Sequence, residues 1–165
     1  MSLTDEERRT LIGLQLERAD KFMAQAEDMC RLQYWDIAAN RYYYACFHAV
    51  QGLFIANGLN TRTHDGMLTC FGLHFVKTGI IDTKLGSFLT RMEQLRQKGD
   101  YNCLYVVSQE EVETMAGPAE LLVSRIKELV GCDIYRMWCR WNRRWQKMNT
   151  ILRIRRMWQN RVCSP

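Results

Sequence analysis

Two residues on one stretch of the chain could do chemistry together. Asn40-Arg41-Tyr42-Tyr43-Tyr44-Ala45-Cys46-Phe47-His48 carries Arg41 and His48 seven residues apart. Seven residues make about two helical turns, so on a helix both side chains point the same way. The pair joins a permanent cation to a ring that exchanges a proton near neutral pH. The seam they share reads Ala38, Arg41, Ala45, His48, Gly52, Ile55, and it is small around the two polar groups. Small residues let a second helix backbone or a ligand come close. A charge and an imidazole on an inward-looking seam are costly unless paired or used. The plain alternative is a salt-bridge donor beside a hydrogen-bonded core histidine, with the many carboxylates of the chain as partners.

Other polar clusters are weaker. His64, Cys70 and His74 form a His-x5-Cys-x3-His array, and Cys70 and His74, one turn apart, could share a metal. Without a CxxC pair this is poor support for zinc, and no metal or cofactor is expected. His64 is expected near a helix start and His74 on a helix surface. Asp100 and Tyr101 are expected to fix a loop against the Arg41 helix, with Asp100 paired to Arg41 or Arg96. There is no glycine-rich phosphate loop, so a nucleotide would have to be held by arginines.

The elements that position these residues read as helices. Thr4 followed by Glu7 is a capping box, and Ile12, Leu16, Ala19, Phe22, Met23, Ala26 and Cys30 recur behind it at helical spacing. A second helix covers about Tyr34 to Ala56, stopped at Asn57-Gly58, either of which tolerates a left-handed cap. A third runs from His64 to Thr78 with Gly79 as its stop. A fourth runs from Thr83 to Lys98 and ends at Gly99. Asp100 to Val107 is the one stretch read as extended. A second capping box, Ser108 with Glu111, opens a fifth helix through Val112, Met115, Ala119, Leu122, Val123, Ile126 and Val130. Pro118 within it should kink the helix or delay its start. The expected fold is all-α: an antiparallel up-and-down bundle of four long helices plus a short one over residues 1–130.

Composition agrees and adds a second segment. The chain has 165 residues, 47% hydrophobic and 25% charged, with only two prolines, which excludes disordered and collagen-like classes. The start, MSLTDEERR, opens no apolar run and is not read as a secretory signal. No stretch is apolar enough to span a bilayer. Seven scattered cysteines without a CxxC pair suit reduced thiols in the cytoplasm. The net charge of +5 is unevenly spread. Residues 131–165 hold nine of the 23 Lys and Arg and one of the 18 Asp and Glu, a net +8 against −3 for residues 1–130. Trp138, Trp141, Trp145 and Trp158 lie there too. This tail reads in three ways. It is a basic amphipathic helix for RNA, an acidic partner or a membrane surface, an extra helix packed on the bundle, or a poorly ordered segment outside the native domain. For the last, a jump to Trp, Arg, Cys and Met with almost no acids resembles translation out of the original frame.

The segment NRYYYACFHAVQGLF resembles the signature helix of HEPN-domain proteins, whose hallmark is Arg-x(4–6)-His. Thr63-His64-Asp65-Gly66 is similar to the family's Thr-His-Ser/Asp-Gly segment. Arg96-Gln97-Lys98-Gly99-Asp100-Tyr101 is similar to its Arg-x-x-Ala-Asp-Tyr element. The resemblance covers roughly residues 10–130. It implies a symmetric homodimer in which the Arg41/His48 helices of the two protomers face a shared cleft. In ribonuclease members it implies metal-independent RNA cleavage, the 2′-hydroxyl attacking the adjacent phosphate. His48 would then move protons and Arg41 would stabilise charge on the phosphoryl oxygens, with the dimer supplying a second histidine. Asn40, Tyr42, Tyr44, Arg96, Asp100 and Tyr101 would support the cleft. Such bacterial proteins are often encoded beside a minimal nucleotidyltransferase, as toxin and antitoxin. Other members are non-catalytic modules that bind a partner protein or nucleotide through the same cleft. The chain departs from the ribonuclease pattern at Tyr42, where Asn, Asp or His often follows the arginine. It departs from the antitoxin-modified subgroup at Val50, where that subgroup has Tyr.

Overall fold

The structure, a computed structural model, describes residues 3–101 and 106–131, with side chains for 3–98 and 106–131. The chain divides into a unit of residues 1–129 and a second of residues 130–165. The tryptophan- and arginine-rich tail lies outside the described residues from 132 onward.

Five α-helices lie among the described residues: α1 Asp5–Arg31, α2 Trp35–Asn57, α3 His64–Phe71, α4 Thr83–Tyr101 and α5 Gln109–Gly131. No strand occurs among the described residues. The fold is therefore all-α, four long helices and a short one.

Local chemistry sets the helix ends. Thr4 Oγ1 accepts from the Glu7 amide at 3.2 Å while Glu7 Oε2 accepts from the Thr4 amide at 2.8 Å. Ser108 and Glu111 repeat that exchange at the start of α5, at 3.2 and 3.1 Å. Each box satisfies two amides that have no partner inside the helix. Gly58 ends α2 in the left-handed conformation at φ 66°, and its successor Leu59 donates back to the Phe54 carbonyl at 2.9 Å. Asn57 stays helical, so the glycine makes the stop. Between α1 and α2 the chain turns through Gln33, the one described non-glycine residue at positive φ.

Three expectations about the elements need correction. The third helix is α-helical only to Phe71 and passes into a π-helical turn, Gly72–Val76, before Gly79 at φ 76° ends it. The fourth helix runs past Gly99 to Tyr101, so Asp100 and Tyr101 are helical rather than part of an extended loop. Glycine at position 99 costs about 1 kcal/mol in a helix, too little to stop it alone. The fifth helix starts at Gln109, so Pro118 sits well inside it and does not delay its start. The loss of one backbone hydrogen bond there is borne by a helix with a buried stripe from Val112 to Leu129.

α1 and α2 pack antiparallel over most of their length. Arg8 of α1 donates to the Ile55 carbonyl at 2.9 Å near one end, and Cys30 meets the Tyr42 hydroxyl at 3.9 Å near the other. Gly52 permits this approach: a Cβ there would lie 3.4 Å from Leu16 Cδ2 and 3.5 Å from Gln15 Cβ. α4 approaches the π-helical turn still more closely, since a Cβ on Gly86 would fall 2.7 Å from Val76 Cγ2. Phe54, Phe71, Phe75, Leu53, Leu89, Leu122 and Ile126 are essentially without exposure and form the core. Each such side chain contributes roughly 1.5–3 kcal/mol of burial free energy. Lys127 of α5 pairs with Asp20 of α1.

Candidate functional site

The small seam of α2 faces α1. Ala38, Ala45 and Gly52 are buried, while Arg41 and His48 on the same seam stay half-buried. α1 brings three residues to meet them. Gln15 Oε1 lies 2.7 Å from His48 Nδ1. With that carbonyl as acceptor, Nδ1 carries the proton and Nε2 holds the lone pair. Phe22 supplies the floor. The His48 ring stacks on it with centroids 5.2 Å apart and planes 6° from parallel. The Arg41 guanidinium sits over the same ring, 5.4 Å from its centroid. One phenyl ring thus carries both polar groups, and its face favours the cation. Arg18 is the third contribution, and its charge acts on His48.

These neighbours set the protonation of His48. Burial first, and then the positive charge of Arg18, hold its pKa below the ordinary 6.5. At neutral pH the imidazole is therefore uncharged and basic at Nε2. Among the described residues no carboxylate lies within 4.0 Å of Arg41. A neutral base beside a guanidinium suits a phosphate ester.

Of the supporting residues expected from sequence, Tyr44 joins the site. Its ring stacks on Phe22 at 5.6 Å and tilts against His48 at 6.4 Å. Tyr42 does not. It is 3% exposed, its hydroxyl points at Cys30, and burial pushes its pKa upward. Asn40, Arg41 and Arg96 line one groove of about 280 Å³ together with Asp36, Ile37 and Leu95. The Asp100 and Tyr101 side chains lie outside the described residues. Arg96 takes its carboxylate from Glu93 on its own helix. Its Nε reaches Oε2 at 2.9 Å and an Nη reaches Oε1 at 2.8 Å.

Glu93 was not legible as a site residue, yet it anchors a second polar cluster. It is 1% exposed. Burial pushes its carboxyl up, but hydrogen bonds from Arg96, Tyr43 and Gln97, with the Arg96 charge, bring it below the ordinary carboxylate value. The Arg96 guanidinium also lies over the Tyr43 ring at 5.5 Å. Tyr43 is fully buried, and its hydroxyl meets His64 Nδ1 at 2.5 Å. His64 opens α3, where Thr63 Oγ1 caps the Gly66 amide at 3.0 Å. A Cβ on Gly66 would lie 2.9 Å from that oxygen, which explains glycine there. The Thr-His-Asp-Gly segment therefore builds a cap and presents a histidine.

No group of three His, Cys, Asp or Glu among the described residues could hold a metal ion. Cys46 is fully buried and its thiol is pushed up to about 12, so it is no nucleophile at neutral pH. No described helix is long and apolar enough to cross a membrane.

Comparison with known proteins agrees with these elements. The HEPN domain family matches residues 13–129, ending before the basic segment. A UPF0332 protein of Thermotoga maritima is 34% identical over 124 residues, covering 75% of this chain and 94% of its own. A Methanocaldococcus jannaschii protein named "Putative toxin" is 32% identical over 127 residues, 77% of this chain and 94% of its own. A second protein of that organism with the same description is 26% identical over 113 residues, 68% of this chain and 77% of its own. Over residues 13–129, from within α1 almost to the end of α5, the chain belongs to the HEPN-domain family.

Proposed function

We propose that the chain is a metal-independent ribonuclease of the toxin type, with Arg41 and His48 as its reacting pair. The observation that carries this is the shared Phe22 ring, with His48 stacked at 5.2 Å and Arg41 over it at 5.4 Å. It sets a neutral imidazole and a guanidinium side by side on one surface. The names of the Methanocaldococcus relatives support a toxin role.

The reaction needs only RNA and these groups. His48 Nε2 takes the proton of a 2′-hydroxyl, whose oxygen then attacks the adjacent phosphorus and displaces O5′, which takes a proton and leaves as a 5′-hydroxyl beside a 2′,3′-cyclic phosphate. Arg41 donates two parallel hydrogen bonds to the non-bridging oxygens and offsets the charge that builds on them. Gln15 holds the imidazole in the tautomer that leaves Nε2 basic. The rate gain from such a positioned base is about 100-fold or more. The protein acts as a homodimer joined along the α2 helix, in the cytoplasm, and a nucleotidyltransferase antitoxin is its partner. These three assignments rest on membership of the family and the toxin names of two relatives.

The test is incubation of the full chain with single-stranded RNA in EDTA, beside Arg41→Ala and His48→Ala. The wild type is expected to cleave and both variants to lose at least about 100-fold. Cleavage that survives either substitution, or a wild type that leaves RNA intact, rejects the ribonuclease assignment. In that case the same cleft serves a non-catalytic module.

A further inference from the structure

The described part of the chain contains a second imidazole with the support that a proton-transfer group needs. Glu93, buried inside the bundle, accepts from the Tyr43 hydroxyl. That hydroxyl meets His64 Nδ1 at 2.5 Å, and Glu93 Oε2 itself lies 3.8 Å from the same nitrogen. The chain of groups runs from a buried carboxylate through a buried phenol to a ring that is 35% exposed. With the phenol donating to the carboxylate, its oxygen accepts from Nδ1–H. His64 Nε2 then faces away from the relay and takes no hydrogen bond from the described residues. Such an arrangement, an orienting acid behind a histidine, fixes both tautomer and ring direction.

Burying a carboxylate to hold a half-exposed imidazole is an expensive way to make a structural contact. Its position gives it a use. The His64 ring packs on Phe47 at 4.9 Å, and His48 packs edge-on against the same ring at 5.4 Å. The two imidazoles therefore flank one side chain of α2. They differ in surroundings: Arg18 acts on His48, whereas Tyr43 and Glu93 lie against His64.

We propose that His64 is the general acid of the ribonuclease reaction, with Tyr43 and Glu93 as its positioning residues. The proposal rests on the ribonuclease assignment of Arg41 and His48. The 2′-hydroxyl proton passes to His48 Nε2 and the bond from O2′ to phosphorus forms. His64 enters the step as the imidazolium, with Nδ1–H held by the Tyr43 oxygen and a second proton, drawn from water, on Nε2; the bond from phosphorus to O5′ breaks and O5′ takes that Nε2 proton. The products are a 2′,3′-cyclic phosphate and a 5′-hydroxyl. Both histidines then come from one protomer, rather than the second coming from the partner copy.

A leaving group that needs no proton tests this directly. Uridine 3′-(p-nitrophenyl phosphate) expels a stable phenolate, so its cleavage requires the base but not the acid. The full chain, His64→Asn, Tyr43→Phe and His48→Asn are compared on single-stranded RNA and on this ester, in EDTA. His64→Asn is expected to lose about 100-fold on RNA and to stay within about threefold of wild type on the ester. Tyr43→Phe, which keeps the buried ring, follows the same pattern with a smaller loss. His48→Asn fails on both substrates. Equal losses of His64→Asn on both substrates mark a structural role and overturn the proposal, as does full activity on RNA. Wild-type inactivity on both substrates instead rejects the ribonuclease assignment, and this proposal with it.

Discussion

Replacing Glu93 with leucine removes the anion on which the second polar cluster is built. The Glu93 side chain is 2% exposed and Arg96 only 11%, so the guanidinium left behind cannot recover its lost partner from water. The carboxylate takes two hydrogen bonds from Arg96, at 2.9 and 2.8 Å, and one from Gln97 at 3.0 Å, besides that of Tyr43. Breaking a buried pair at one partner costs about 3 kcal/mol, since the two charge-assisted hydrogen bonds that Glu93 accepts from Arg96 are lost without replacement by water. For a domain of this size that is about 10 °C in Tm. Urea unfolding followed by helical circular dichroism at pH 7 measures the loss. Glu93→Leu with Arg96→Met removes both charges and should recover about 1 kcal/mol or more of the loss from Glu93→Leu alone. A pH series adds a second check. The folded carboxyl titrates below its unfolded value of 4.5, so the unfolded chain binds more protons between the two values. Stability from this group is present above about pH 4.5 and is lost as pH falls through the folded value. Glu93→Gln should flatten that acid-side fall. A loss under about 1 kcal/mol for Glu93→Leu, or strictly additive single losses, would refute the reasoning.

Other consequences follow from single contacts. Phe22→Leu keeps an apolar side chain but removes the ring under Arg41 and His48. It should cost about 1 kcal/mol in stability and about tenfold in RNA cleavage, measured by urea unfolding and by rates in EDTA. Gly86→Ala should cost about 1–3 kcal/mol because its Cβ meets Val76 at 2.7 Å, and Val76→Ala should rescue it in the same unfolding assay. The His48 imidazole titrates below 6.5 in the folded chain, so stability from its neutral form is present above pH 6.5 and declines as pH falls below that value. An NMR titration of the ring protons, with His48→Asn for assignment, should place His48 below 6.5; a value above it contradicts the burial argument.

Local signals made much of the fold legible. The Thr4/Glu7 and Ser108/Glu111 boxes and Gly58 act within one turn of the chain, so their residues can be recognised without knowing the fold. The π-helical turn at Gly72–Val76 could not be read this way, because a single five-residue turn is too short to set an apolar period of its own. Arg41 and His48 stood out because their spacing lies within one helix. Gln15, Arg18 and Phe22 did not, although Phe22 touches both, since the register of α1 against α2 is written in neither helix alone. Nothing within α4 itself marks Glu93 as buried. Only the packing of α2, α3 and α4 reveals that Tyr43, His64 and Arg96 meet at it.

The chemistry of the cut ends tests the central claim most directly. Single-stranded RNA is incubated with the full chain in EDTA, and the new termini are read by mass spectrometry, beside His48→Ala. Attack by the 2′-hydroxyl predicts 2′,3′-cyclic phosphate and 5′-hydroxyl ends, absent with His48→Ala. New 5′-phosphate ends, or cyclic-phosphate ends formed as fast by His48→Ala, would contradict the account.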